Sequence, residues 1–270
     1  DRILSWSGNN LRLGATVVRP TVVLAGHTKE VNGALALPNG HLLSWSNDGT
    51  LRLWDTDGAP LNVLEGHTEQ VNGASLSPNG LVVSWSLDTT LRLWTQDGES
   101  IAVLQGHLSA VIGALALTDG RYLSWSDDTN LILWAEDGTP ACVLEGHSRE
   151  IRGAFILPDG RFLSWSGDST ARLWTANGEP EAVLRGHTIG IIGALRLSDG
   201  CFLTWRYDTT LRLWTETGDQ IAFFGDGTTF KGAAALSDGY FLAWSDGGTL
   251  ILSTSRATVV ATFEGITSGV

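Results

Sequence analysis

Methionine is absent from the 270 residues, cysteine occurs twice, and no apolar run approaches the roughly 20 residues of a membrane-crossing helix. The missing methionine and an opening at Asp1 point to a domain taken from a longer protein or released by processing. Residues 1–14 do not form a signal peptide, so the sequence predicts a soluble, cytoplasmic domain. Cys142 and Cys201 fall at different places in the repeat described below, which gives no disulfide framework and fits free thiols in a reducing compartment. Basic charge is also scarce: 17 Lys and Arg face 29 Asp and Glu, a net charge of -12 with no basic stripe. That balance argues against nucleic acid and anionic membrane and leaves a protein surface as partner. No Cys/His pair has zinc spacing, and His41 beside the Asn39-Gly40 turn reads as an exposed polar residue. The acidic turns at Asp57, Asp97 and Asp137 lack the dense oxygen ligands of a calcium loop, and no glycine-rich phosphate loop opens a helix. Neither a metal nor a cofactor is expected.

What the chain does have is a period. Trp6, Trp45, Trp85, Trp125, Trp165, Trp205 and Trp244 recur 39 or 40 residues apart in one repeated stretch, clearest from Arg161 to His187. A fixed period of that length indicates a propeller or solenoid. Each copy holds three short alternating or β-rich runs separated by turn dipeptides, then a fourth run ending in Gly-His. In the second copy the predicted strands are Val31–Leu37, Leu42–Ser46, Leu51–Trp54 and Leu61–Leu64. Asn39-Gly40 and Asp57-Gly58 supply the positive φ of tight turns. Seven such units can pack around an axis with only short strand edges left open, so the predicted fold is an all-β, seven-bladed propeller of four-stranded antiparallel blades.

The succession Gly-His, Ser-Trp-Ser, Asp, Leu-Arg-Leu-Trp resembles the WD40 family over essentially the whole chain, and in particular the near-uniform arrays of bacterial multidomain signalling proteins. The resemblance implies one domain over 1–270. Its blades are 1–26, 27–66, 67–106, 107–146, 147–186, 187–225 and 226–265, with strand a of the first blade missing and 266–270 starting a closing strand. Two departures stand out. Trp replaces the family's small residue between the serines, and the Asp after the last strand tryptophan survives only at Asp55. Alternation puts Trp45 opposite Ser44 and Ser46, so its ring is read as packing between blades; a ring of ligand-stacking tryptophans is the sharper alternative.

Five copies carry His, Ser or Thr, Asp and Trp at constant offsets. The sets are His27/Ser44/Asp48/Trp54, His67/Ser84/Asp88/Trp94, His107/Ser124/Asp128/Trp134, His147/Ser164/Asp168/Trp174 and His187/Thr204/Asp208/Trp214. Ser, His and Asp suggest a hydrolase, but a nucleophile site is singular and this set recurs blade after blade. The resemblance implies a buried structural tetrad instead, with no catalytic residue. The end copies lose it: the first has Asn9 and Gly14, the last Asp226, Ala243, Gly247 and Ser253, so the seam between them is expected to open first.

Differences among close copies mark positions free of framework duty, and they cluster before strand a, at its start, and before the turn Asp. They are Glu30, Asn32 and Asn47; Gln70, Asn72 and Leu87; Ala110, Ile112 and Asp127; Glu150 and Arg152; Ile192, Arg206 and Tyr207; and Lys231. The resemblance places them on one face around the channel mouth. Aliphatic, aromatic and arginine side chains there suit a protein or peptide partner, and the predicted role is a non-catalytic scaffold or sensor. Rival readings are a small-molecule or glycan site on the tryptophans, and a structural or oligomerising module exchanging strands at the open seam.

Overall fold

The computed structural model describes residues 2–15, 22–206, 208–225, 227 and 229–264. Its strands form seven antiparallel sheets, one of three strands and six of four, in which sequence neighbours are hydrogen-bonded neighbours. In the second sheet the strands are Val31–Ala36, Leu42–Ser46, Leu51–Trp54 and Pro60–Leu64. The first therefore stops one residue before the expected Leu37, whose N–H is drawn into the turn by the His41 carbonyl at 2.8 Å. The fourth begins one residue early because Pro60 pairs with Trp54 across a register shift. Gly40 and Gly58 hold φ of 90° and 88°, the left-handed values that the two turns need. The first sheet contains Arg2–Ser7, Asn10–Ala15 and Val22–Leu24. Residues 266–270, assigned to a closing strand, lie outside the described residues.

Two compact units divide the chain. Asp1–Glu145 holds the first four sheets and Gly146–Val270 the last three. Within each unit the apolar clusters are shared by consecutive sheets. Leu43, Leu51, Leu53 and Leu64 of the second sheet meet Val71, Val82 and Trp94 of the third. Leu163, Leu173 and Leu184 of the fifth meet Phe202 and Trp214 of the sixth. A sheet whose two faces are both covered reads as near-continuous apolar strands, which explains why Leu42–Ser46 is buried at four of its five positions rather than alternating. Fully burying a leucine stabilises by roughly 1.5–3 kcal/mol, so these interfaces dominate the energetics of each unit.

The interposed tryptophans have a specific seat. Trp45 stands opposite Gly33 in the register, and a Cβ on that glycine would fall 2.6 Å from the ring's Cε2. The indole lies on the bare backbone of the neighbouring strand in its own sheet and also packs against the cluster shared with the third sheet. No helix among the described residues is long and apolar enough to cross a membrane.

Candidate functional site

The second strand of each regular sheet ends in a turn whose aspartate ties three segments together. In the third sheet Asp88 Oδ2 accepts from His67 Nδ1 at 2.8 Å and from the Thr68 N–H at 3.0 Å. Its Oδ1 accepts from the Thr90 hydroxyl at 2.7 Å and the Thr90 N–H at 3.0 Å. His67 Nε2 lies 2.9 Å from Ser84 Oγ, which also accepts the Trp94 Nε1–H at 2.9 Å. Indole only donates, so Ser84 gives its proton to Nε2 and Nδ1–H points to the aspartate. The same arrangement holds His27, Ser44, Asp48 and Trp54; His107, Ser124, Asp128 and Trp134; His147, Ser164, Asp168 and Trp174; and His187, Thr204, Asp208 and Trp214.

Electrostatics follow from burial. Desolvation pulls His27, His107 and His187 below the ordinary imidazole value, against the pull of their aspartates, which favours the neutral ring. Asp48 is desolvated too, which by itself raises its pKa. Hydrogen bonds from Thr50, Thr28 and His27 outweigh that and bring it to about 2. Asp88 and Asp168 are lowered against the same desolvation by His67 and His147 and by Thr90 and Thr170. Ser44, Ser84, Ser124 and Ser164 are 0% exposed, so each hydroxyl is enclosed and spoken for on both sides. Such a network rigidifies its sheet and presents no surface to a substrate.

The threonine two residues after the aspartate belongs to this network, and sequence reasoning missed it. Thr50, Thr90, Thr170 and Thr210 bond the aspartate at 2.6–2.7 Å and stand 3.1–3.4 Å from histidine Nδ1. Its recurrence in Asp-x-Thr was the available signal; Asn130 breaks it in the fourth sheet. In the last sheet Ala243 and Ser253 are buried, with the Ser253 hydroxyl on the Thr258 carbonyl at 3.0 Å. Asp226 lies outside the described residues.

The variable positions meet at the end of each sheet where the first strand starts and the second ends. A backbone hydrogen bond joins them directly: Asn47 N–H to Glu30 O at 2.9 Å, Leu87 to Gln70 at 3.0 Å, Asp127 to Ala110 at 3.1 Å and Gly167 to Glu150 at 3.0 Å. Asn32 donates to Asn47 at 2.7 Å and to the Val71 carbonyl of the next sheet at 2.8 Å. Asn72 repeats that reach to the Val111 carbonyl at 2.8 Å, with Gln70 on its oxygen. These amides are tied down. Leu87 is 39% exposed, Ala110, Ile112 and Ile192 are half-buried, and Asp127 is exposed. Arg152 pairs with Glu150 at 2.8 Å, Lys231 with Asp246 at 2.5 Å, and Arg206 is buried. Tyr207 lies outside the described residues.

Comparison with known proteins agrees with this geometry. The family model described as WD domain, G-beta repeat matches residues 18–55, 58–95 and 138–175. Among solved structures, the computationally designed Ika8 protein is similar at a TM-score of 0.77 and 21% identity, over 98% of this chain and 84% of that one. The WD40 beta propeller domain of Doa1 is similar at a TM-score of 0.64 and 22% identity, over 93% and 88%. These likenesses show the fold, a β-propeller. No curated protein matches the chain.

Proposed function

We propose that this chain, a WD40-repeat β-propeller, is a non-catalytic platform that binds a protein or peptide at the variable ends of its sheets. One observation carries the reading. The residues that differ between otherwise uniform copies are joined pairwise by the hydrogen bonds from Asn47, Leu87, Asp127 and Gly167, which gathers these variable residues at one end of the second to fifth sheets. The tetrads behind them hold the loops rigid, which limits the entropy lost when a partner docks. Apolar Leu87 beside amides in the first unit, and Ile192 beside arginines in the second, offer the mixed surface on which interface hot spots form.

The test is selection of peptides from a random library on the folded chain, followed by binding to Leu87→Asp and Ile192→Asp. Selected peptides are expected to bind at least one of these variants tenfold or more weakly. Peptides that bind both variants as tightly as the parent chain would move the site elsewhere and overturn the reading.

A second reading, a glycan or small molecule stacked on indole, is favoured by Trp6 and Trp244, which are 44% and 39% exposed. It requires that a glycan array or small-molecule screen produce a ligand that quenches their fluorescence, with loss of quenching in Trp6→Phe or Trp244→Phe.

A further inference from the structure

Four sheets end their second strand in a fully buried serine with a fixed task. The hydroxyls of Ser46, Ser86, Ser126 and Ser166 donate to the carbonyls of Lys29, Glu69, Ser109 and Arg149 at 3.0–3.2 Å. Each also accepts the N–H of the turn aspartate at 3.0 Å. In the sixth sheet this position is Arg206. A hydroxyl socket cannot hold a guanidinium unchanged, and the first strand of this sheet begins at Gly193 instead of two residues earlier, where Val31, Val71, Val111 and Ile151 begin theirs. Here the Ile191 N–H bonds the Ser166 carbonyl of the preceding sheet at 2.9 Å, much as the Val31 N–H of the second sheet bonds the Gly8 carbonyl at 2.7 Å, and the Ile192 N–H bonds the Trp205 carbonyl at 3.1 Å.

Arg206 is only 7% exposed, yet its Nε and Nη1 have no hydrogen-bond partner. A buried charge short of acceptors is unfavourable, and Arg206 stands apart from Arg52, Arg92, Arg172 and Arg212, each of which leaves only its Nε unmet, in leaving two donors without a partner. The nearby Asp208 carboxylate favours the cation through its field but makes no hydrogen bond to it. Asp208 is held by His187, Thr188 and Thr210. Arg152 stands close enough to add its positive field, and the side chain of Arg152 is 37% exposed with Glu150 as an exchangeable surface partner. Two glycines let the loops close here: the Glu150 carboxylate covers Gly167 where a Cβ would clash, and Gly190 lies against the Gly167 backbone. In a chain of net charge -12, Arg149 and Arg152 of the fifth sheet and Arg206 of the sixth concentrate positive charge at neighbouring sheet ends.

We propose that Arg206, with Arg152, is the receptor for an oxyanion carried by a peptide partner, a carboxylate or phosphoryl group seated beside Ile192. The assignment rests on the platform reading above and specifies the chemistry of its partner. On binding, Arg152 leaves Glu150 for the incoming oxyanion, and the unused donors of Arg206 gain an acceptor at a place from which water is largely excluded.

Arginine Nε–H resonances of the full chain, titrated with sodium acetate and separately with inorganic phosphate, test the receptor directly and tell its two sources apart. The Arg206 signal, assigned by its loss in Arg206→Ser, is expected to shift saturably with one of them. Arg92, whose Nε is also buried and unpartnered, is the control and should stay. An unmoved Arg206 signal, or Arg92 shifting with the same affinity, overturns the proposal. Arg206→Ser restores the residue that stands at this position in the six other sheets; should it fail to fold, Arg152→Gln reports instead from the surface. Peptides selected on the parent chain are expected to be rich in Asp, Glu or phosphorylated residues and to bind Arg206→Ser about tenfold or more weakly. Equal binding to Arg206→Ser and Arg152→Gln overturns the receptor while leaving the platform standing. Peptides insensitive to Leu87→Asp and Ile192→Asp sink the platform, and the acetate and phosphate titrations still decide whether Arg206 binds anions.

Discussion

At Thr89, Thr129, Ser169 and Thr209 the backbone sits at φ of 71°, 74°, 72° and 64°, a region that β-branched residues in particular avoid. The second sheet solves the same turn with Gly49 at φ 81°. Left-handed backbone costs a non-glycine residue about 1–2 kcal/mol, whereas glycine's extra unfolded-state freedom costs about 0.5–1 kcal/mol. Strain relief wins, so Thr129→Gly is expected to raise stability by about 0.5–1 kcal/mol, read as a higher denaturation midpoint at unchanged slope. The aspartate and histidine, joined by Thr90, Thr170 and Thr210 in three of these turns and by the Asn130 N–H in the fourth, fix the turn strongly enough to impose this strain. The opposite sign is expected one strand earlier. Ser84→Ala leaves the Trp94 indole N–H and His67 Nε2 without their shared partner, at a cost of about 1–3 kcal/mol. Ser84→Thr should be nearly neutral, because Thr204 makes the same two bonds at 2.8 and 2.9 Å in the sixth sheet. Chemical denaturation of both variants separates loss of the hydroxyl from a change of volume.

Between neighbouring strands the decisive pair is tryptophan on glycine. Trp125 stands opposite Gly113, and a Cβ on that glycine would fall inside the ring's van der Waals surface, as at Gly33, Gly73, Gly153 and Gly193. Gly113→Ala is therefore expected to destabilise by about 1–3 kcal/mol, and combining it with Trp125→Ala should cost less than the sum of the two single changes. A denaturant double-mutant cycle measures that coupling. Elements were legible in the sequence because each obeys a local rule: a short β-rich run marks Leu42–Ser46, Asn-Gly and Asp-Gly mark the turns, and the constant spacing of His67, Ser84, Asp88 and Trp94 marks the network. Trp45 was legible only in half. Its packing toward the next sheet follows from alternation, but its seat on Gly33 depends on cross-strand register, which spacing alone does not give. Arg206 was visible as a variable residue. That it is buried with free donors, and that it shortens the facing strand to Gly193–Arg196, follows from side-chain volume acting across the sheet.

Summed over the molecule, the networks make stability depend on pH in one direction. His27, His107 and His187 have folded pKa values below the ordinary 6.5, chiefly through desolvation, so as pH falls through that value the unfolded chain takes up protons that the folded chain refuses. Stability then falls with acid. The turn aspartates act in the same sense at lower pH. Asp48 titrates near 2 in the fold against an ordinary 3.8, and Asp88, Asp168 and Asp208 are also lowered, so their contribution is present above 3.8 and is lost as pH drops toward their folded values. Thermal melts are expected to be level from pH 8 to 7, to decline below about 6.5 and to fall more steeply below about 4. A His107→Gln variant separates the two stages. It removes one histidine from the upper stage, so its melting temperature should decline less between pH 7 and 5 than that of the parent chain, although it starts lower because the bonds to Asp128 and Ser124 are disturbed. A decline of equal size in both would mean that the histidines do not drive the upper stage. A rise in stability on acidification would show that relief of the -12 net charge outweighs the buried networks.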